Sequence, residues 1–309
     1  MTAAVPVRAV AAADVAAVEA LVAEAAAEDG TGPLSEDGAL RLRALAPAEV
    51  VPGELAAGVV HLVSTAHGAP GTVTGYVQVD TSAPGDASGE LVVSPRHRRG
   101  GAGRALLGAA RAAAGGPLRL WAHGDLPPAR ALAAAAGLRR VRELSRMARP
   151  LGAGAQLPPA EPPAGTALRT FRPGADDAAW LALNAAAFAH HPEQGRWSTA
   201  DLLARQREPW FDPAGFFLAE ADGALVGFHW TKVEPGSRTG EVYVLGVAPG
   251  RAGRGLGRVL AVAGLRHLAA RGCAEVDLYV DGDNAAAVRL YSGLGFARAA
   301  LDVQYRSGD

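Results

Sequence analysis

The sequence predicts a mixed α/β protein built as two tandem halves, and three observations carry that expectation. The first is a strand, glycine-rich turn and helix. Glu241-Val-Tyr-Val-Leu-Gly-Val247 is a β-branched run that stops at Ala248-Pro249, after which Gly250, Gly253, Gly255 and Gly257 open into an apolar-periodic helix. The second is a twin of that stretch. Leu91-Val-Val-Ser-Pro95, continuing through Arg98 to Gly101-Ala-Gly103-Arg104, repeats Val247-Ala-Pro249 through Gly257-Arg258. The third is a repeated opening. Val7-Arg-Ala-Val10 with an Asp14-led helix to about Ala27 returns as Leu168-Arg-Thr-Phe171, Ala175-Asp-Asp177 and a helix to about Phe188.

Each half also ends alike. Leu120-Trp-Ala-His-Gly-Asp125 matches Leu278-Tyr-Val-Asp-Gly-Asp283, and Gly137-Leu138 matches Gly295-Phe296. Between the halves, Pro150 to Gly165 is rich in Pro, Gly and Ala, with Pro158-Pro159 and Pro162-Pro163, and reads as an extended linker. Domains are therefore expected over 1–150 and 167–309, joined by 151–166; 309 residues suffice for two cores.

Composition narrows the function. A net charge of -1 makes no electrostatic case for nucleic acid or an anionic membrane. One cysteine, Cys273, rules out an internal disulfide framework and suits a reducing compartment, so a cytoplasmic location is expected. The opening residues carry Asp14, Glu19, Glu24 and Glu28 at helical spacing, with no basic-then-apolar signal layout, and no run approaches the length of a membrane span. Of thirty basic residues only Lys232 is a lysine, which is either chance or a place where a compact ammonium does what a planar guanidinium would not.

The glycine turns are anion cradles. Without Cβ atoms, successive backbone N–H groups converge, the helix start adds partial positive charge, and Arg251, Arg254 and Arg258 supply full charges, so a pyrophosphate fits. A Walker loop is excluded because the cradle has no lysine. A dinucleotide fingerprint is disfavoured by the spacing of Gly253-Arg-Gly255-Leu-Gly257, and Glu275 fits its ribose acid only loosely.

The halves differ where chemistry would sit. In the second, Glu275-Val-Asp-Leu-Tyr-Val280 reads as a strand and Asp281-Gly-Asp283 as a turn. Asn284 reads as the N-cap of a helix Ala285–Ser292, closed by Gly293 or Gly295. Tyr291 lies on the same helix face as Asn284; its ordinary alternative is a half-buried aromatic packed on the sheet. The first half has Leu126 and Ala133 in their places. Strand alternation is expected to put Glu241, Tyr243 and Leu245 on one face, with Glu241 either a general base or an exposed strand-edge carboxylate. His190, His191 and His229 form no metal spacing with carboxylates, and no metal is expected.

The cradle resembles the acyl-CoA loop of the GNAT N-acetyltransferases, in which a strand ending Val-x-Pro precedes Arg/Gln-x-x-Gly-x-Gly/Ala. Val247-Ala-Pro249 and Arg254-Gly-Leu-Gly257 carry the likeness. Ala252 stands at the usual Arg/Gln position, which removes a side-chain donor and leaves the backbone donors; in the first half Arg98 fills that position. The resemblance implies two tandem domains, each a central mixed, mostly antiparallel sheet flanked by helices. It also implies acetyl-CoA as co-substrate, a tyrosine acid (Tyr291) and a carboxylate base (Glu241).

Over essentially the whole chain the sequence also resembles the mycothiol synthases, a tandem GNAT family. His191-Pro-Glu-Gln-Gly195, Glu208-Pro-Trp-Phe-Asp-Pro213, Gly227-Phe-His-Trp-Thr-Lys232, Gly240–Val247 and Asp283–Tyr291 are the most specific pieces. That likeness implies acetylation of the cysteinyl amine of desacetylmycothiol, a cysteine–glucosamine–inositol conjugate, by the second half, while the first half binds acetyl-CoA without turnover. Acceptor contacts then fall on Glu36, Glu193, Lys232, Glu241 and Tyr279, with Glu208 a nearby rival to Glu193. Acetyl-CoA contacts fall on Leu91, Val92, Val93, Arg99, Gly100, Gly101, Ala102, Gly103 and Arg104 in the first half. In the second they fall on Leu245, Gly246, Val247, Ala252, Gly253, Arg254, Gly255, Leu256, Gly257 and Arg258, then on Asn284, Ala285, Ala286, Ala287, Val288 and Arg289. The alternatives are the same fold acting on another small amine, such as an aminoglycoside or polyamine, or on a protein N-terminus, and a non-catalytic CoA sensor. A small-molecule acceptor and a monomer are expected.

Overall fold

The structure is a computed structural model that describes residues 5–45, 58–83, 85–152, 157–189 and 194–308. Two compact units result, Met1–Leu144 with Leu301–Asp309, and Ser145–Ala300. The first repeat runs β1 (Val7–Ala9), α1 (Val15–Asp29), α2 (Glu36–Arg43), β2 (Val59–Ala66), β3 (Ala69–Asp80), β4 (Ala87–Val93), α3 (Ala102–Ala114), β5 (Leu118–Ala122), α4 (Pro127–Ala135) and β6 (Arg139–Pro150). The second repeats that order as β7 (Thr166–Thr170), α5 (Asp177–Ala187), α6 (Thr199–Gln206), β8 (Phe216–Ala221), β9 (Ala224–Lys232), β10 (Thr239–Val247), α7 (Leu256–Ala270), β11 (Glu275–Asp281), α8 (Ala285–Ser292) and β12 (Ala297–Arg306).

In the first unit β1 to β4 are antiparallel neighbours, β4 and β5 are parallel, and the far end of β12 runs antiparallel beside β5. In the second, β7 to β10 are antiparallel, β10 and β11 are parallel, and β6 borders β11. Each sheet is thus mixed and mostly antiparallel. The parallel step falls where a helix, α3 or α7, carries the chain across, because two parallel strands cannot be joined by a hairpin.

The units are not the two sequence halves. β6 and β12 each straddle a boundary, so residues 145–150 belong to the second unit and 301–309 to the first. Composition marks a proline-rich stretch well but cannot say which sheet edge a strand will join. Residues 157–165 contain neither helix nor strand, as expected of a linker, yet the stretch around them is anchored. Leu151 is buried with its amide donated to the Ala274 carbonyl at 2.8 Å, and Leu157 and Ala160 pack on the second unit's core.

Two cores sandwich the second unit's sheet. One is aromatic: Trp180 meets Phe216, Phe228 and Trp230 edge-on, and Phe216 stacks on Trp230 with centroids 4.5 Å apart. The other is aliphatic, where Val242, Val262, Leu265 and Leu268 pack with Leu278, Val280 and Tyr291.

Candidate active site

β10 decides the geometry. Its parallel ladder with β11 runs from Thr239↔Glu275 to Val242↔Leu278, and among the described residues the ladder does not continue from there to Val247. β11 continues to Asp281 and β10 to Val247, so a gap opens between two strands that started as neighbours. Tyr243 marks the change: pairing with β9 slips between Val242 and Val244, a β-bulge that bends the strand.

The gap leads into the cradle. Gly253 and Gly255 hold φ of 77° and 83°, a region closed to ordinary side chains, and Gly255 is the N-cap of α7. The first amides of α7 are therefore free for an anion. Of the three cradle arginines, Arg251 is paired with Asp222 at 3.1 Å. On the other bank, the Asn284 side chain accepts from the Ala287 amide at 3.1 Å and starts α8, and Gly293 is the C-cap, as the sequence predicts. Tyr291 on α8 is 7% exposed and shares the aliphatic core with Leu245. Burial pushes its phenol pKa up, so it stays a proton donor throughout the neutral range.

The expectation that Glu241, Tyr243 and Leu245 share a face is wrong, and the bulge is why. Tyr243 and Val244 both pack with the aromatic core, whereas Val242 and Leu245 pack with the aliphatic one, so the alternation restarts one residue late. Glu241 and Tyr243 therefore face away from Leu245 and Tyr291.

On the Glu241 face the sheet collects a polar row. Lys232 lies opposite Glu241 on β9, Asp277 lies opposite it on β11, and Tyr279 follows two residues on and is 48% exposed. Lys232 Nζ contacts Glu234 at 2.9 Å and sits 4.8 Å above the Trp210 ring and 5.5 Å above Tyr243. Burial raises the Asp277 pKa, with Arg146 at 2.9 Å working against it.

Sequence reasoning did not single out Asp277, Trp210 as a cation platform, or Arg205. The fully buried Arg205 stacks 3.8 Å over Trp197 and donates from Nε to the Tyr243 hydroxyl at 2.7 Å. Its only sequence signal is an arginine at an apolar position of α6. Glu193, His190 and His191 lie outside the described residues. His229 is a core residue: its Nδ1 lies 2.8 Å from the Leu260 carbonyl, and burial pushes its pKa down to about 4. Among the described residues no group of three His, Cys, Asp or Glu side chains could hold a metal, and no helix is long and apolar enough to cross a membrane.

The first unit repeats the gap on a smaller scale. The β4–β5 ladder ends at Glu90↔Trp121, leaving Leu91–Val93, and a cavity of about 930 Å³ opens there, lined among others by Gly101, Arg104, His123, Leu126 and Ala133. Arg98 is held bidentate by Asp29 at 2.8 and 2.6 Å, which takes that guanidinium's charge. Glu36 is the first residue of α2, with Ser35 as its N-cap.

A strand pair that parts beside a glycine cradle, twice in one chain, with a buried phenol on one bank, defines a tandem acetyltransferase of the GNAT class. The acetyltransferase (GNAT) family model matches residues 180–296. The GCN5-related N-acetyltransferase of Sphaerobacter thermophilus superposes with a TM-score of 0.68 at 26% identity, covering 98% of this chain and 95% of that one. A tandem GNAT protein from the clavulanic acid biosynthesis pathway superposes at 0.72 and 22% identity, covering 98% of each chain, a likeness of fold. The mycothiol acetyltransferase of Thermomonospora curvata is 53% identical over 291 residues, 94% of this chain and 92% of that protein. The chain belongs to the mycothiol acetyltransferase family.

Proposed function

We propose that the second unit transfers the acetyl group of acetyl-CoA to the cysteinyl α-amine of desacetylmycothiol by direct attack in a ternary complex. The single observation that supports this reading most is the parting of β10 from β11 beyond Val242↔Leu278, which leaves a gap with the Tyr291 side on one face and Glu241 on the other. The pantetheine arm would lie in that gap, with the pyrophosphate on Ala252–Arg258 and the Leu245–Val247 backbone N–H groups polarising the thioester carbonyl. Asn284–Arg289 would form its second bank. Leu91–Val93 and Arg99–Arg104 would hold a second acetyl-CoA in the first unit.

The attacking α-amine has an ordinary pKa of ~7.7–8.0, so a modest carboxylate base is enough near neutral pH. Glu241, through one water, takes the proton that the nitrogen loses as its C–N bond forms. The tetrahedral intermediate collapses with cleavage of the C–S bond. The leaving thiolate, ordinary pKa ~8.5, is a weaker base than the tyrosinate, so Tyr291 chiefly offers a hydrogen bond to the charge developing on sulfur. Glu241 and Tyr291 lie on opposite faces of the sheet, contrary to the expectation that they flank one side of the pocket, so in this reading Glu241 must act across the gap between β10 and β11, through a water.

The polar row of Lys232, Glu241, Asp277 and Tyr279 suits a polyhydroxylated acceptor, and Glu36 and Glu193 add carboxylates by the family likeness. Thiol release from acetyl-CoA across a panel of amines tests the reading. Turnover of cysteinyl-glucosaminyl-inositol well above an aminoglycoside, a polyamine or a peptide N-terminus is expected, and release with one of those but not with the conjugate would refute it.

A further inference from the structure

The first unit holds a buried charged cluster that the reaction does not use. Glu90, the last residue of the β4–β5 ladder, is 4% exposed. Its Oε1 accepts from the Ser35 amide at 2.7 Å and from His123 Nε2 at 3.0 Å, and its Oε2 accepts from Gln78 at 2.7 Å. The other ring nitrogen of His123 meets Asp302 at 3.0 Å, and Asp302 also accepts from the Gly124 amide at 2.7 Å. Burial by itself would lower the His123 pKa, but hydrogen bonds to Asp302 and Glu90 carry it to about 10, so the imidazolium is doubly committed at neutral pH.

The cluster sits between the cavity and the start of α2. His123 lines the cavity, as do Thr31 and Pro33 in the segment that leads to α2. Ser35, held by Glu90, caps α2 in turn by accepting from the Gly38 amide at 3.1 Å. A Cβ on Gly38 would collide with Glu90 Oε2 and Gln78 Nε2, so α2 lies directly on the cluster. Glu36 is the residue next to Ser35. α2 therefore packs beside the end of the β4–β5 ladder, at Glu90.

We propose that Asp302, His123 and Glu90 are positioning residues that lock the start of α2, and with it Glu36, in the setting from which the acceptor is bound. A CoA-type ligand in the adjoining cavity tightens the same lock. The first unit is then an effector site whose output is acceptor affinity. This rests on the reading that Glu36 contacts the acceptor.

Steady-state kinetics and amide exchange on the full chain test it. In E90Q and H123Q, KM for the amine should rise about ten-fold or more, as loss of a charged hydrogen bond implies. Their kcat and KM for acetyl-CoA should stay within about two-fold. In the wild type, CoA should slow exchange at the α2 amides, and in both variants that slowing should disappear. Unchanged amine KM in the variants, or α2 exchange indifferent to CoA in the wild type, overturns the proposal. If these variants do not fold, Gly38→Ala displaces α2 by crowding while keeping every charge, and an unchanged amine KM there overturns it equally. Should the wild type acetylate no amine in the panel, the acceptor assignment falls, while α2 exchange still decides the lock.

Discussion

The two gaps are built from the same elements and differ in what closes around them. In the first unit the parallel ladder ends at Glu90, whose carboxylate is spent on Ser35, Gln78 and His123, and α2 lies against it. In the second, β10 leaves its partner at Val242, a bulge follows, and the banks are Tyr291 on one face and a polar row on the other. The two units thus share the strand, glycine turn and helix, and differ in the side chains beside them: Leu126 and Ala133 in the first stand where Asn284 and Tyr291 stand in the second.

The comparison breaks most easily at its chemistry. Tyr291→Phe and Glu241→Gln should each lower kcat about 100-fold, within the range for general acid–base groups, with KM for acetyl-CoA little changed. A Tyr291→Phe enzyme retaining full kcat in the thiol-release assay would remove the acid. Giving the first unit the missing groups, Leu126→Asn with Ala133→Tyr, should restore no turnover to the Tyr291→Phe protein, since the carboxylate of Glu90 at the end of that ladder is already committed to Ser35, Gln78 and His123; recovered activity would contradict the comparison.

Acceptor recognition comes next in size. Lys232→Met should raise the amine KM about ten-fold with a small change in kcat, and Lys232→Arg should not restore it, because a planar fork does not reproduce a point charge above Trp210 and Tyr243.

Stability against pH sharpens the contrast between the units. The folded pKa of His123, about 10, lies above the ordinary ~6.5, so its contribution is complete below about 6.5 and is lost as pH rises through 10. The thermal midpoint of the wild type should therefore fall between pH 7 and 10 more steeply than that of H123Q. Equal slopes would show that the imidazolium adds nothing. The smallest effect expected is that of Tyr243→Phe, which leaves buried Arg205 without its 2.7 Å acceptor and should cost about 1–3 kcal/mol in denaturant unfolding.

Much of this was legible before any coordinates. Strand, glycine turn and helix recur as β10 and α7 and as β4 and α3; Asn284 caps α8, and Leu126 stands at the N-cap of α4 in the corresponding place. These signals are local, set by backbone conformation, capping and periodicity within a few residues. Three things lay beyond it. The bulge at Tyr243 turned Leu245 away from Glu241, a one-residue slip that the run conceals because every position from Val242 to Val247 is apolar or aromatic. The strands β6 and β12 each straddle the two units, since which edge a strand joins depends on the assembled sheet. The Glu90–His123–Asp302 cluster joins residues 33 and 179 positions apart, and only tertiary packing brings two carboxylates to one imidazole and keeps water from separating them.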